Sequence, residues 1–132
     1  MRLLRHRDRS AWQLDRELAA RGVGEGAREE ALATLVRTGL VDDLRFAERR
    51  AETLAARGAG DALVAHDLAK AGVARDVVAD AIRALEPEHE RARRIVAKRG
   101  NSAKSARYLA GKGFPDDVVR AAVAHGHGET LG

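Results

Sequence analysis

Leu68-Ala69-Lys70-Ala71-Gly72-Val73 reads as the closing turn of a helix. Leu68 is the last large apolar residue of a periodic stretch, Gly72 stands where a left-handed residue ends a helix, and Val73 follows as an apolar plug. The same spacing returns at Leu18-Gly22-Val23 and at Leu109-Gly113-Phe114. Working outward, a shift of 50 residues lays Leu14, Leu18, Gly22, Val23, Ala27, Ala31, Leu32 and Leu35 over Val64, Leu68, Gly72, Val73, Val77, Ala81, Ile82 and Leu85. A further shift of 41 lays Leu68, Gly72, Val73, Val77, Ala81 and Ile82 over Leu109, Gly113, Phe114, Val118, Ala122 and Val123. Each copy is an apolar helix ending in glycine, a plug, and a second amphipathic helix. A preceding helix, clear at 42–57 and 88–99 and a stub at 2–8, completes a unit of three.

The expected helices are 2–8, 10–21, 25–38, 42–57, 61–71, 75–86, 88–99, 102–112 and 115–125, with Gly39, Gly58, Gly100 and Gly126 as further punctuation. Ser10 and Gln13 have capping-box spacing, Asp42 and Asp61 suit N-caps, and Asn101 or Ser102 suits the start of the eighth helix. Pro115 belongs in a first turn, and Pro87 stops or starts a helix. No stretch alternates with period two for long enough to make a strand. Short helical units bury their apolar faces on one another, so the expected fold is all-α: an elongated tandem array of three three-helix repeats. The units are 1–38 (shortened), 39–86 and 87–126, with 127–132 as a flexible tail.

Composition agrees. Among 132 residues there are 27 alanines and only 3 % aromatics, so helices must pack closely with little bulk between them. The absence of cysteine excludes disulfides, thiolate metal sites and thiol nucleophiles. No apolar run approaches a membrane span and the N-terminus lacks a signal-peptide stretch, so a cytoplasmic protein with no membrane partner is expected.

Net charge is +4, but unevenly spread: +3 over residues 1–23, −4 over 24–88, +7 over 89–113 and −2 over the remainder. Two basic ends flanking an acidic middle speak of partners, such as nucleic acid or a two-signed protein surface. Within the third unit, Arg91, Arg94 and Lys98 share a helix face, Lys104 and Arg107 share another, and Lys112 follows. Arg5 and Arg9 belong to a shorter row, with Arg16 on the next helix. These nine are the candidate partner- or phosphate-binding residues. Trp12 and Tyr108 lie beside core positions and near basic residues; helix-interface packing is the favoured reading over base stacking, and Phe46 and Phe114 read as core.

Nothing in the chain resembles a phosphate loop, a nucleophile elbow or a zincin helix. The pairs Asp42-Asp43 and Asp116-Asp117 open helices, where they complement the dipole, and His125 and His127 lack a partner at ligand spacing. No catalytic residue, metal or cofactor is expected.

The most specific stretch is Thr38-Gly39-Leu40-Val41-Asp42-Asp43-Leu44-Arg45-Phe46-Ala47. It continues through Arg57-Gly58-Ala59-Gly60 into Asp67-Leu68-Ala69-Lys70-Ala71-Gly72-Val73. Here the chain resembles the RecX family of regulatory proteins, whose central repeat reads G-L-[LIV]-D-D-x-R-F-A, then [RK]-G-x-G, then E-L-x-x-K-G-[IV]. Arg9-Ser10 with Leu14, Leu18, Arg21, Gly22 and Val23 is similar to the family's first unit, and Gly111-Lys112-Gly113-Phe114 with Val118 to its last. Asp67 stands for the usual Glu, Arg50 for a common aromatic, and Asp61-Ala62-Leu63 for a Pro-containing basic stretch. The resemblance implies a non-enzymatic modulator of the RecA recombinase, and a monomer is expected. Such a protein lodges in the groove or at the end of the RecA–DNA filament and contacts DNA directly or through it. The rival reading is a stand-alone helix-turn-helix DNA-binding protein. Base readout wants Arg, Asn or Gln early on one recognition helix, whereas 25–38, 75–86 and 115–125 are mostly Ala, Val and acid.

Overall fold

The computed structural model describes residues 9–131, with side chains as far as residue 124. All regular structure within that range is helical: α1 (Ala11–Ala20), α2 (Glu25–Arg37), α3 (Asp43–Ala56), α4 (Asp61–Lys70), α5 (Arg75–Arg83), α6 (Glu88–Arg99), α7 (Ala103–Gly111) and α8 (Asp116–Leu131). The expected helix at 2–8, and Arg5 with it, lies outside the described residues.

The helix ends follow from local chemistry. Ser10 and Gln13 form the expected capping box, Asp42 accepts the Arg45 N–H at 3.1 Å, and Ser102 rather than Asn101 caps α7. Asp61 corrects the reading that made it a cap: Gly60 holds that place and Asp61 is the first helical residue. Six of the seven punctuating glycines have positive φ. In each of the three aligned turns the plug's N–H reaches back to the same carbonyl, Val23 to Leu18, Val73 to Leu68 and Phe114 to Leu109, at 3.1 Å every time. That bond is the physical content of the sequence repeat.

Gly126 is the exception. α8 runs on to Leu131, so the backbone of 127–131 is helical where a tail is expected. A glycine inside a helix costs only about 1 kcal/mol, and no proline follows to stop the chain.

Helices pack in sets. In α3–α5 the first and third helices lie together over Phe46, Ala51, Val64, Leu68, Val73 and Val78. In α6–α8 the same arrangement buries Ala92, Val96, Leu109, Phe114 and Val119. Each set therefore has its own core, and both phenylalanines are buried as read. α1 and α2 precede them as a packed pair, with Leu14 buried on α1 and no fully buried side chain on α2.

Candidate functional site

The signature residues build joints between helical sets. Asp42 caps α3, Arg45 donates to the Gly39 carbonyl at 3.0 Å, and Val41, Phe46 and Ala47 are buried. Asp43 reaches across to α1, where its carboxylate accepts the Ala11 N–H at 2.8 Å. Beside it the buried Ser10 hydroxyl donates to the Ala71 carbonyl at 2.5 Å. The next joint repeats both contacts. Glu88 accepts the Asp61 N–H at 2.7 Å, and the Gly60 N–H donates to the Lys112 carbonyl at 2.8 Å. Ala11 and Asp61, like Ser10 and Gly60, are 50 residues apart, and Ala71 and Lys112 are 41 apart, the two repeat shifts. A carboxylate at a helix N-terminus satisfies an orphan N–H and complements the dipole. Burial nevertheless pushes Glu88 above the usual glutamate range, and the bond from Asp61 only partly opposes it.

Close approach explains the glycines. A Cβ at Gly72 would stand 2.3 Å from Trp12 Cβ, and one at Gly60 2.9 Å from the Gly113 backbone. Trp12 thus packs against the Gly72 turn, although 48 % exposed, with the Arg16 guanidinium 5.5 Å from its ring centre.

The nine candidate basic residues divide by environment. Arg91 is 8 % exposed: Nη1 donates to the Ala59 carbonyl at 3.0 Å, Nε to the Glu86 carbonyl at 2.8 Å, and Nη2 pairs with Asp61. Its guanidinium is committed to the joint. Arg94 is exposed but held by Glu86 at 2.5 Å, and Arg9 lies 3.6 Å from Glu17. Lys98, Lys104 and Arg107 are exposed and have no ion-pair partner among the described residues. The sequence leaves almost no acid for this segment. Folding supplies Asp61 and Glu86 from the preceding unit, so its charge is less free than its composition implies. Lys98 and Arg99 close α6, where cations suit the helix dipole.

Two residues outside that set matter. Arg99 stacks 3.7 Å from the centre of the Tyr108 ring, and Lys112, which caps the C-terminal end of α7, lies 5.7 Å from it. Arg57 follows α3 and borders the same cleft as Arg94, Lys98 and Arg99. Arg57 opens the Arg57-Gly58-Ala59-Gly60 motif of the sequence, and the Tyr108 hydroxyl lies 2.9 Å from where a Cβ on Gly58 would be. Among the described residues there is no cluster of metal-ligating side chains, and no helix is long and apolar enough to cross a membrane.

Comparison with known proteins gives this geometry a context. The chain is 36 % identical to the regulatory protein RecX of Chromohalobacter salexigens, over 95 % of this chain and 88 % of that one. It belongs to the RecX family of regulatory proteins. RecX of Stenotrophomonas maltophilia is 33 % identical, over 93 % of this chain and 82 % of its own length. The family description "RecX, second three-helix domain" matches residues 42–82, from the Asp42 cap through α3 and α4 to all but the last residue of α5. The crystal structure of RecX from Lactobacillus salivarius superposes with a TM-score of 0.75 over 89 % of this chain and 84 % of that one, at 18 % identity, and so shares the fold. Membership in RecX makes the chain a regulatory protein. The RecX signature, seen on this chain, spells out caps, turns and joints.

Proposed function

We propose that this chain binds RecA–DNA filaments and inhibits the recombinase, restraining ATP hydrolysis, strand exchange and filament extension. The observation that carries the reading is similarity to RecX proteins along more than nine-tenths of the chain. In this reading the chain is an array of three helical units. It acts as a monomer in the cytoplasm.

The geometry supplies a means. The joints tie each helical set to the next through hydrogen bonds to backbone groups, so the acidic middle and the basic third unit keep a fixed relation. Lys98, Lys104 and Arg107, exposed and unpaired among the described residues, suit phosphate oxygens on filament-bound DNA or an acidic protein surface. Acids outnumber bases over residues 24–88, a balance of −4 that phosphate repels and a basic protein surface attracts. A ligand that spans neighbouring filament subunits resists the subunit motions that accompany hydrolysis. The first turns of α2, α5 and α8 each carry an acid, which disfavours the helix-turn-helix alternative at the DNA major groove.

The test is an ATPase time course of the cognate recombinase on single-stranded DNA, with and without the full chain. The reading predicts a dose-dependent fall in rate. An unchanged rate at saturating chain, with strand exchange also unchanged, would overturn it.

A further inference from the structure

A cleft of about 560 Å³ runs between the C-terminal end of α3 and the flank of α6, and Tyr108 of α7 borders it. Its lining combines two chemistries. Ala55, Leu85 and Ile95 give it an apolar floor, each side chain half-buried. Arg57, Lys98 and Arg99 give it an exposed cationic rim, and none of the three has an ion-pair partner among the described residues. Glu86 also borders the cleft, but Arg94 occupies it; Glu52 is the other acid on its edge.

We propose that this cleft is a docking site for an extended acidic peptide segment of a partner protein, with one apolar side chain seated on the Leu85–Ile95 floor and flanking carboxylates on Arg57, Lys98 and Arg99. Three observations favour a peptide over a nucleic-acid strand. The floor offers apolar contact that a sugar-phosphate backbone does not use, whereas a leucine-sized side chain does. The Tyr108 face that a base stacks on is already covered by Arg99 at 3.7 Å. Stacking fixes the Arg99 plane, and a planar guanidinium held in place is suited to a bidentate carboxylate. Charge complementarity selects the sign of the ligand, and the floor selects its class.

This inference deepens the proposed function by giving one cleft one ligand chemistry. Its test contains no recombinase, so either reading can fail without the other. The probe is a short fluorescein-labelled peptide of aspartate and glutamate around one central leucine, titrated with the full chain and followed by anisotropy. Replacing that leucine by serine is expected to weaken binding by about 10-fold, the scale set by burying one such side chain. Lys98→Gln with Arg99→Gln is expected to weaken it by ~10-fold or more, while Arg37→Gln with Arg49→Gln, which removes the same charge elsewhere, changes it less than about 2-fold. Circular dichroism melting confirms that both double variants are folded.

Any of four results would overturn the proposal: no binding of the peptide; equal loss from both double variants; indifference to the central leucine; or tighter binding of an oligothymidylate of matching length that Lys98→Gln with Arg99→Gln abolishes. The last result would make the cleft a nucleic-acid site.

Discussion

The Asp43 carboxylate accepts the backbone N–H of Ala11 at 2.8 Å, across the joint between α1 and α3. Glu88 does the same for Asp61 at the next joint, and each acid is the first residue of its helix. Asp43→Ala is expected to leave that N–H without its partner and to cost about 1–3 kcal/mol, whereas Asp43→Asn keeps an acceptor and costs less. Urea unfolding followed by Trp12, the only tryptophan, measures both. Equal effects from the two variants would show that the carboxyl oxygen does not hold the joint.

Gly72 and Gly22 form a matched pair for testing the joint's packing. Both have positive φ, +80° and +87°, so alanine at either is expected to cost about 1–2 kcal/mol of backbone strain. At Gly22 the new methyl meets open space, but at Gly72 it meets Trp12 at 2.3 Å. Gly72→Ala should therefore lose roughly 1–3 kcal/mol more, with a shift in Trp12 emission that Gly22→Ala lacks. Equal losses would mean that Trp12 yields freely.

Arg91 serves two carbonyls and one carboxylate from inside the joint. Arg91→Met leaves those acceptors behind and should cost ~2–4 kcal/mol in urea unfolding. Arg91→Lys should recover only part of this, because a point donor cannot span three directions. A loss for Arg91→Met below about 0.5 kcal/mol would contradict the structural role.

Arg50 and Asp67 pair through two bonds of 2.9 and 3.0 Å between α3 and α4. The hydrogen bond from Arg50 holds the Asp67 carboxyl below the usual aspartate range. A lowered folded-state value means that the contribution is present above the ordinary aspartate pKa and is lost as pH falls through the lowered one. The pair is partly exposed, so its worth is about 0–1 kcal/mol. The melting-temperature gap between the native chain and Asp67→Asn should be open at neutral pH and close in acid. A gap that widens in acid would reverse the sign.

That pair also shows what sequence can and cannot tell. Arg50 and Asp67 read as two separate departures from the RecX pattern, and only the packing of α3 on α4 reveals them as complementary. The turns were legible because Leu68, Gly72 and Val73 interact within six residues, and local chemistry is written locally. Arg91 read as part of a basic stripe because its helix face fits one. Its partners Ala59 and Asp61 come from 30 or more residues away, and periodicity carries no such information. The same distance hid the role of Asp43, which reads as a dipole partner and is also a joint residue. Gly126 misled in the other direction: it reads as a helix end, but α8 runs through it to Leu131.

The central proposal is that Lys98, Lys104 and Arg107, unpaired among the described residues, hold the chain on a recombinase filament. The direct measurement is inhibition of recombinase ATPase by the native chain, by Lys98→Glu/Lys104→Glu/Arg107→Glu, and by Arg28→Glu/Arg75→Glu/Arg83→Glu, at several salt concentrations. Arg28 already pairs with Asp15 at 2.9 Å, and Arg83 with Asp80. The account predicts that the first triple variant loses at least ~10-fold in inhibitory potency and shows a shallower salt dependence, while the second stays within a few-fold of native. Equal potency of the two triple variants, with helicity intact, would contradict it.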